Sequence, residues 1–122
     1  MRYMFLIYSQ ERPGGLTPED IEPLKAAHRA VMEDASTKGV LLGYAGLKPT
    51  AMASSVRIKD GHPVTLDGPF AETKEQLAGY YIIECKDLDE ALGWARRIPS
   101  GCKGGEGCIE VRPVSDVPKP ML

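Results

Sequence analysis

Three stretches of this chain are apolar on consecutive residues, and that pattern restricts the fold more than any other feature. Residues 3–8 read Tyr3, Met4, Phe5, Leu6, Ile7, Tyr8; a second run holds Leu77, Ala78, Tyr80, Tyr81, Ile82 and Ile83; a third opens on Val40, Leu41 and Leu42 and continues to Tyr44. Short runs of aromatic and branched residues favour strands. An antiparallel strand with one solvated face alternates apolar and polar residues; these do not, so both faces of their sheet need cover.

Two helices can supply cover for one face. Thr17 is placed to cap the first, with Pro18 at its first position and Glu19 and Asp20 complementing the dipole in the first turn. Ile21, Leu24, Val31 and Ala35 form its apolar stripe, and Gly39 ends it. Asp87 caps the second, whose stripe is Leu88, Ala91, Leu92, Ala95 and Ile98 before Pro99 closes it. Between the helices, residues 54–66 read as a hairpin turning at Asp60-Gly61. Pairing should stop at Asp67-Gly68-Pro69-Phe70, because proline lacks a donor and constrains its neighbour. Residues 71–76 form a loop or one helical turn, and residues 109–114 form the last strand.

The expected order is strand, helix, strand, hairpin, strand, helix, strand. Without the hairpin this is βαββαβ, so the fold class is α+β, ferredoxin-like, with two helices on one face of an antiparallel sheet and an inserted β-hairpin. The second face remains apolar. A symmetric second copy is the simplest cover, which predicts a homodimer packed sheet to sheet, of dimeric α/β-barrel type.

At 122 residues one domain is expected over residues 1–115, with a loose tail over 116–122. A net charge of −2 offers no basic face for phosphates, so a nucleic-acid partner is not expected. The apolar run 3–8 is too short for a signal core or a membrane span, and the expected setting is the cytoplasm without membrane association. Three cysteines, Cys85, Cys102 and Cys108, are an odd number without paired ligand spacing, which argues for free thiols and against a metal centre. The segment Gly104-Gly105-Glu106-Gly107 matches neither a P-loop nor a dinucleotide fingerprint, and no Gly-x-Ser-x-Gly elbow is present. No cofactor is expected.

His28 is the first candidate for chemistry: it lies four residues after Leu24 and three before Val31, inside the apolar stripe. A titratable ring facing a sheet calls for a partner. Asp67 is the second, with Glu72-Thr73-Lys74-Glu75 gathering charge just beyond it. A carboxylate beside His28 would fix its tautomer and favour the imidazolium for acid–base work. The plainer readings are a histidine donating to a backbone carbonyl and an aspartate bonding its own turn. His62, at the hairpin turn, reads as solvated; Trp94 and Tyr81 read as packing residues.

The run Asp67-Gly68-Pro69-Phe70-Ala71-Glu72-Thr73-Lys74-Glu75-Gln76-Leu77, followed by Gly79-Tyr80-Tyr81, resembles the YCII-related family in its DGPF-motif branch. Arg2-Tyr3-Met4, Gly39-Val40-Leu41, Asp87-Leu88-Asp89-Glu90-Ala91 and Glu110-Val111-Arg112-Pro113-Val114 extend the likeness over nearly the whole chain. The resemblance implies a dimeric ferredoxin-like domain with a histidine–aspartate pair in a cleft, for which His28 and Asp67 fit best. On that basis the leading expectation is a small-molecule enzyme working by proton abstraction, isomerisation or elimination. Glu72, Lys74 and Tyr80 are its expected substrate-binding positions. Members of the branch are often encoded beside sigma factors of the extracytoplasmic type. The alternative is therefore a non-catalytic regulatory or ligand-binding module acting with such a factor.

Overall fold

The computed structural model describes residues 1–12, 14–101 and 106–116. Cys102 and most of the expected tail lie outside them. The chain runs β1 (Arg2–Ser9), α1 (Pro18–Thr37), β2 (Leu41–Gly46), β3 (Ser54–Lys59), β4 (His62–Asp67), β5 (Gln76–Glu84), α2 (Leu88–Ala95) and β6 (Gly107–Pro113), with a 3-10 turn at Thr50–Met52. A four-stranded sheet has the order β2-β5-β1-β6, and its pairs are all antiparallel. β3 and β4 form a separate two-stranded sheet.

Local chemistry accounts for the element ends. Thr17 Oγ1 accepts from the Asp20 amide while the Asp20 carboxylate accepts from the Thr17 amide, a reciprocal capping box. Gly39, at φ 73°, leaves α1 in the left-handed conformation that side chains resist. Asp87 Oδ1 accepts from the Glu90 amide at 2.9 Å to start α2. Asp60 and Gly61 turn the hairpin with φ of 51° and 79°, the mirror-image turn that suits twisted strands. α2 is shorter than its stripe: regular helix stops at Ala95, and Ile98 is buried from the turn that follows.

The core lies between the two helices and one face of the sheet. Tyr3, Phe5 and Ile7 of β1 are buried, as are Tyr81 and Ile83 of β5, together with Val31, Ala35, Ala91, Trp94 and Ile98. Full burial of a side chain the size of Phe5 or Ile83 stabilises by about 1.5–3 kcal/mol. The opposite face carries Met4, Leu6 and Tyr8 on β1 and Tyr80 and Ile82 on β5, all only half-buried. At the β6 edge this second face changes character, because Leu6 pairs with Glu110 and Met4 with Arg112.

Two register shifts break the expected regularity. β1 skips Ala78 on β5, pairing Ile7 with Gly79 and Tyr8 with Leu77. β2 skips Leu42 against β5. Strict alternation therefore does not carry through either strand, and Leu77 lies across from Tyr8 rather than in series with Tyr81. Among the described residues, no helix is long and apolar enough to cross a membrane.

Candidate active site

The stripe of α1 that packs on the sheet carries His28 between Leu24 and Val31, and it delivers the imidazole to the middle of β5. There His28 Nδ1 lies 2.7 Å from Tyr81 Oη, with the rings tilted at 32° and their centroids 5.9 Å apart. Tyr81 is buried and His28 half-buried. Loss of water penalises the charged form of each: His28 is held below its usual value, and Tyr81 is pushed up to about 12. At neutral pH the pair is an imidazole and a phenol sharing one hydrogen bond. Either tautomer satisfies it, since the phenol both donates and accepts. Nδ1 is thus engaged, while Nε2 makes no hydrogen bond to any described residue.

His28 and Tyr81 line a cleft of about 980 Å³, at the upper end of the range for small-molecule sites. Its walls are the first half of α1, the connection following β1, the end of β2 and the start of β5. Ile7, Ile21, Leu24, Met32 and Leu47 make it mostly apolar. The charged groups on it are Glu11, Arg12, Lys25 and Lys48. Glu11 is occupied: its two carboxylate oxygens accept from the Thr50 amide at 2.8 Å and the Thr50 hydroxyl at 2.7 Å. Gly46 and Gly79 face each other across the β2–β5 pair and both line the cleft. A Cβ at Gly79 would come within 2.6 Å of the Ala45 carbonyl oxygen, so this glycine permits the close approach of the two strands.

Of the residues singled out in the sequence, His28 and Tyr80 line this cleft; Asp67, Glu72 and Lys74 do not. Asp67 is exposed at the end of β4, opposite Ser54. Within one chain the hydrogen-bonding partner of His28 is Tyr81, not a carboxylate. The motif around Asp67 forms a corner that is tied to the hairpin. Gly68 takes φ 90°, its amide donates to the Ala53 carbonyl at 2.7 Å, and its own carbonyl accepts from Ser55 Oγ at 2.7 Å. Arg57 donates to the Phe70 carbonyl at 2.7 Å. Lys74 is paired with Glu106 at 2.7 Å, which raises the lysine and lowers the glutamate, and Glu72 is exposed.

Sequence reasoning missed Tyr81, Lys25, Lys48 and Tyr44. Lys25 was within reach, because it precedes His28 by three residues and so shares its side of the helix. Tyr81 had no such signal. In a strand that is apolar throughout, nothing marks which tyrosine directs its hydroxyl at a histidine. Cys85 is buried with its thiol pushed up to about 11, chiefly by desolvation, and Cys108 is exposed. Among the described residues, no three His, Cys, Asp or Glu side chains gather into a group that could hold a metal ion.

A family model described as the YCII-related domain matches residues 1–118. An uncharacterised protein of Rhizobium meliloti (strain 1021) is 40% identical over 116 residues, a match that spans 94% of this chain and 93% of that protein.

Proposed function

This chain belongs to the YCII-related family, and from that premise we propose that it is a small-molecule enzyme in which His28 moves a proton. The observation that carries this reading is the 2.7 Å contact between Nδ1 and the Tyr81 hydroxyl, which leaves Nε2 unengaged on a cleft. With Nδ1–H donating to Tyr81 Oη, Nε2 presents its lone pair and accepts a proton from a substrate C–H or O–H. The imidazolium then returns that proton to another atom of the same molecule, or releases it to a leaving group. Desolvation keeps the resting imidazole neutral and able to accept. Acid–base assistance of this kind contributes roughly 10²–10⁴-fold. Isomerisation and elimination at an acidified C–H are the reaction types it serves.

The reading includes the assembly. The sheet order β2-β5-β1-β6 supports a ferredoxin-like plait of the DGPF branch, and the half-buried Met4, Leu6, Tyr80 and Ile82 support a homodimer of dimeric α/β-barrel type. Glu110 and Arg112 flank that surface with opposite charges, which a two-fold contact can pair across its axis.

NMR titration of His28 in wild type, Tyr81→Phe and Asp67→Asn tests the site. The expected result is a His28 midpoint below the ordinary histidine value, displaced in Tyr81→Phe. An ordinary midpoint, unmoved by the loss of the Tyr81 hydroxyl, removes the proposal. The Asp67→Asn arm decides between a part in the cleft, which shifts the midpoint, and the corner alone, which leaves it.

A second reading is regulatory docking, for example to an extracytoplasmic-type sigma factor. It is favoured by Phe70, Ile58 and Val56, which are 74%, 73% and 66% exposed. Co-purification with such a factor, abolished by Phe70→Ser, would support it.

A further inference from the structure

We infer that the ligand of this cleft is a small carboxylate with a flat, apolar body, its anionic end held by Lys25 and Lys48 at the rim. The inference rests on the reading of the cleft as a substrate site and names the class of molecule that enters it.

Charge is the first ground. The chain as a whole carries −2, yet the cleft presents the ammonium groups of Lys25 and Lys48 against one carboxylate. That carboxylate, Glu11, is already bonded through both oxygens to Thr50. Lys25 and Lys48 are exposed, and neither makes an ion pair among the described residues. An anion entering the cleft meets unspent positive charge and displaces no internal partner of these lysines. A cationic ligand would find no carboxylate to receive it.

The kind of anion follows from the backbone. Phosphate sites commonly use the unsatisfied amides of a helix N-terminus. The N-terminus of α1 lies beside this cleft through Gly15, Leu16 and Ile21, but its first turn bears Glu19 and Asp20, and the Asp20 amide is already given to Thr17 Oγ1. A multiply charged phosphate is therefore opposed where it would otherwise be cradled. A single carboxylate needs only the two ammonium groups.

The shape of the body follows from the floor. Gly46 and Gly79 place main chain, not side chains, beneath the space bounded by Ile21, Leu24 and Met32. A Cβ built on Gly46 would touch nothing within 4 Å, so the space above it is open. Tyr44, 59% exposed on the same strand, offers an aromatic face at the margin. A flat ring or planar conjugated chain fits such a slot, with its acidified hydrogen within the reach of Nε2.

The test uses phenylacetate, its neutral counterpart phenylacetamide, and phenyl phosphate as probes, followed by calorimetry and by ¹⁵N-histidine shifts of the full chain. Phenylacetate is expected to bind and perturb His28, and to bind more tightly than the other two. Lys25→Gln and Lys48→Gln should each weaken phenylacetate by about three-fold, the size of an exposed ion pair, and leave the amide unchanged. Gly46→Val should abolish binding of both while the circular dichroism spectrum stays the same. Amide and acid binding equally, both lysine variants behaving as wild type, phenyl phosphate binding best, or none of the probes binding would each overturn the inference. The ligand-free His28 midpoint judges the acid–base reading separately. A depressed midpoint without acid-over-amide preference therefore fails only the ligand class.

Discussion

His28 was legible as a candidate because polarity is conspicuous on an apolar helix stripe; its partner was not, because Tyr81 lies in a strand where every neighbour is apolar. The pair leads to a pH effect with a definite sign. Burial lowers the folded-state value of His28, so the unfolded chain binds the proton more readily. The contribution to stability is complete above the unfolded value near 6.5 and is lost as pH falls through the lower folded value. Urea denaturation between pH 7.5 and 5 should show wild type weakening over that interval, with a flatter profile in His28→Gln. The same slope in both proteins would place the titrating group elsewhere. At Gly79 the expectation is steric: Gly79→Ala forces a methyl against the Ala45 carbonyl and should destabilise by about 1–3 kcal/mol. Gly46→Ala, with open space above it, should cost far less in the same denaturation series.

At the scale of elements, most boundaries could be read because capping chemistry is local. Thr17, Asp20, Gly39, Asp60, Gly61 and Asp87 each act within a few residues of their own position. Thr17→Ala should lower unfolding free energy by about 1 kcal/mol, read from the urea midpoint at unchanged slope. The two bulges could not be read, since skipping Ala78 or Leu42 depends on how two distant strands meet. The attachment between helices was equally hidden. Asp34 on α1 bonds Arg97 at 2.5 Å and pairs with Lys38 at 3.3 Å, and both cations lie over the Trp94 ring, at 4.9 Å and 5.3 Å. The Arg97 guanidinium is the main reason the Asp34 carboxyl sits below its usual range. At Asp67 the motif has a structural task that the sequence did not show: it sets a glycine at φ 90° in a corner tied to the hairpin, away from the cleft of its own chain.

For the whole molecule, the doubly apolar strands led to the expectation that both sheet faces need cover; the two helices cover one, and the proposed dimer is the cover for the other. The proposed dimer makes Leu6 its most informative position, since it sits mid-strand on the half-buried face. Leu6→Glu should convert a dimer to a folded monomer by light scattering at micromolar concentration, because a charge would be trapped at a dry contact. A wild-type monomer under those conditions would remove the dimer. Helix α1 also differs from end to end. Its second half holds the buried Val31 and Ala35 and is strapped to the turn after α2 through Asp34 and Arg97. Its first half forms the cleft wall and contains Pro23, which cannot donate to the carbonyl one turn back. With one backbone hydrogen bond missing at Pro23, amides near residues 21–25 should exchange with deuterium sooner than those of 31–37. Earlier exchange at that wall would mean that a guest can enter by local opening while Val31 and Ala35 stay packed in the core.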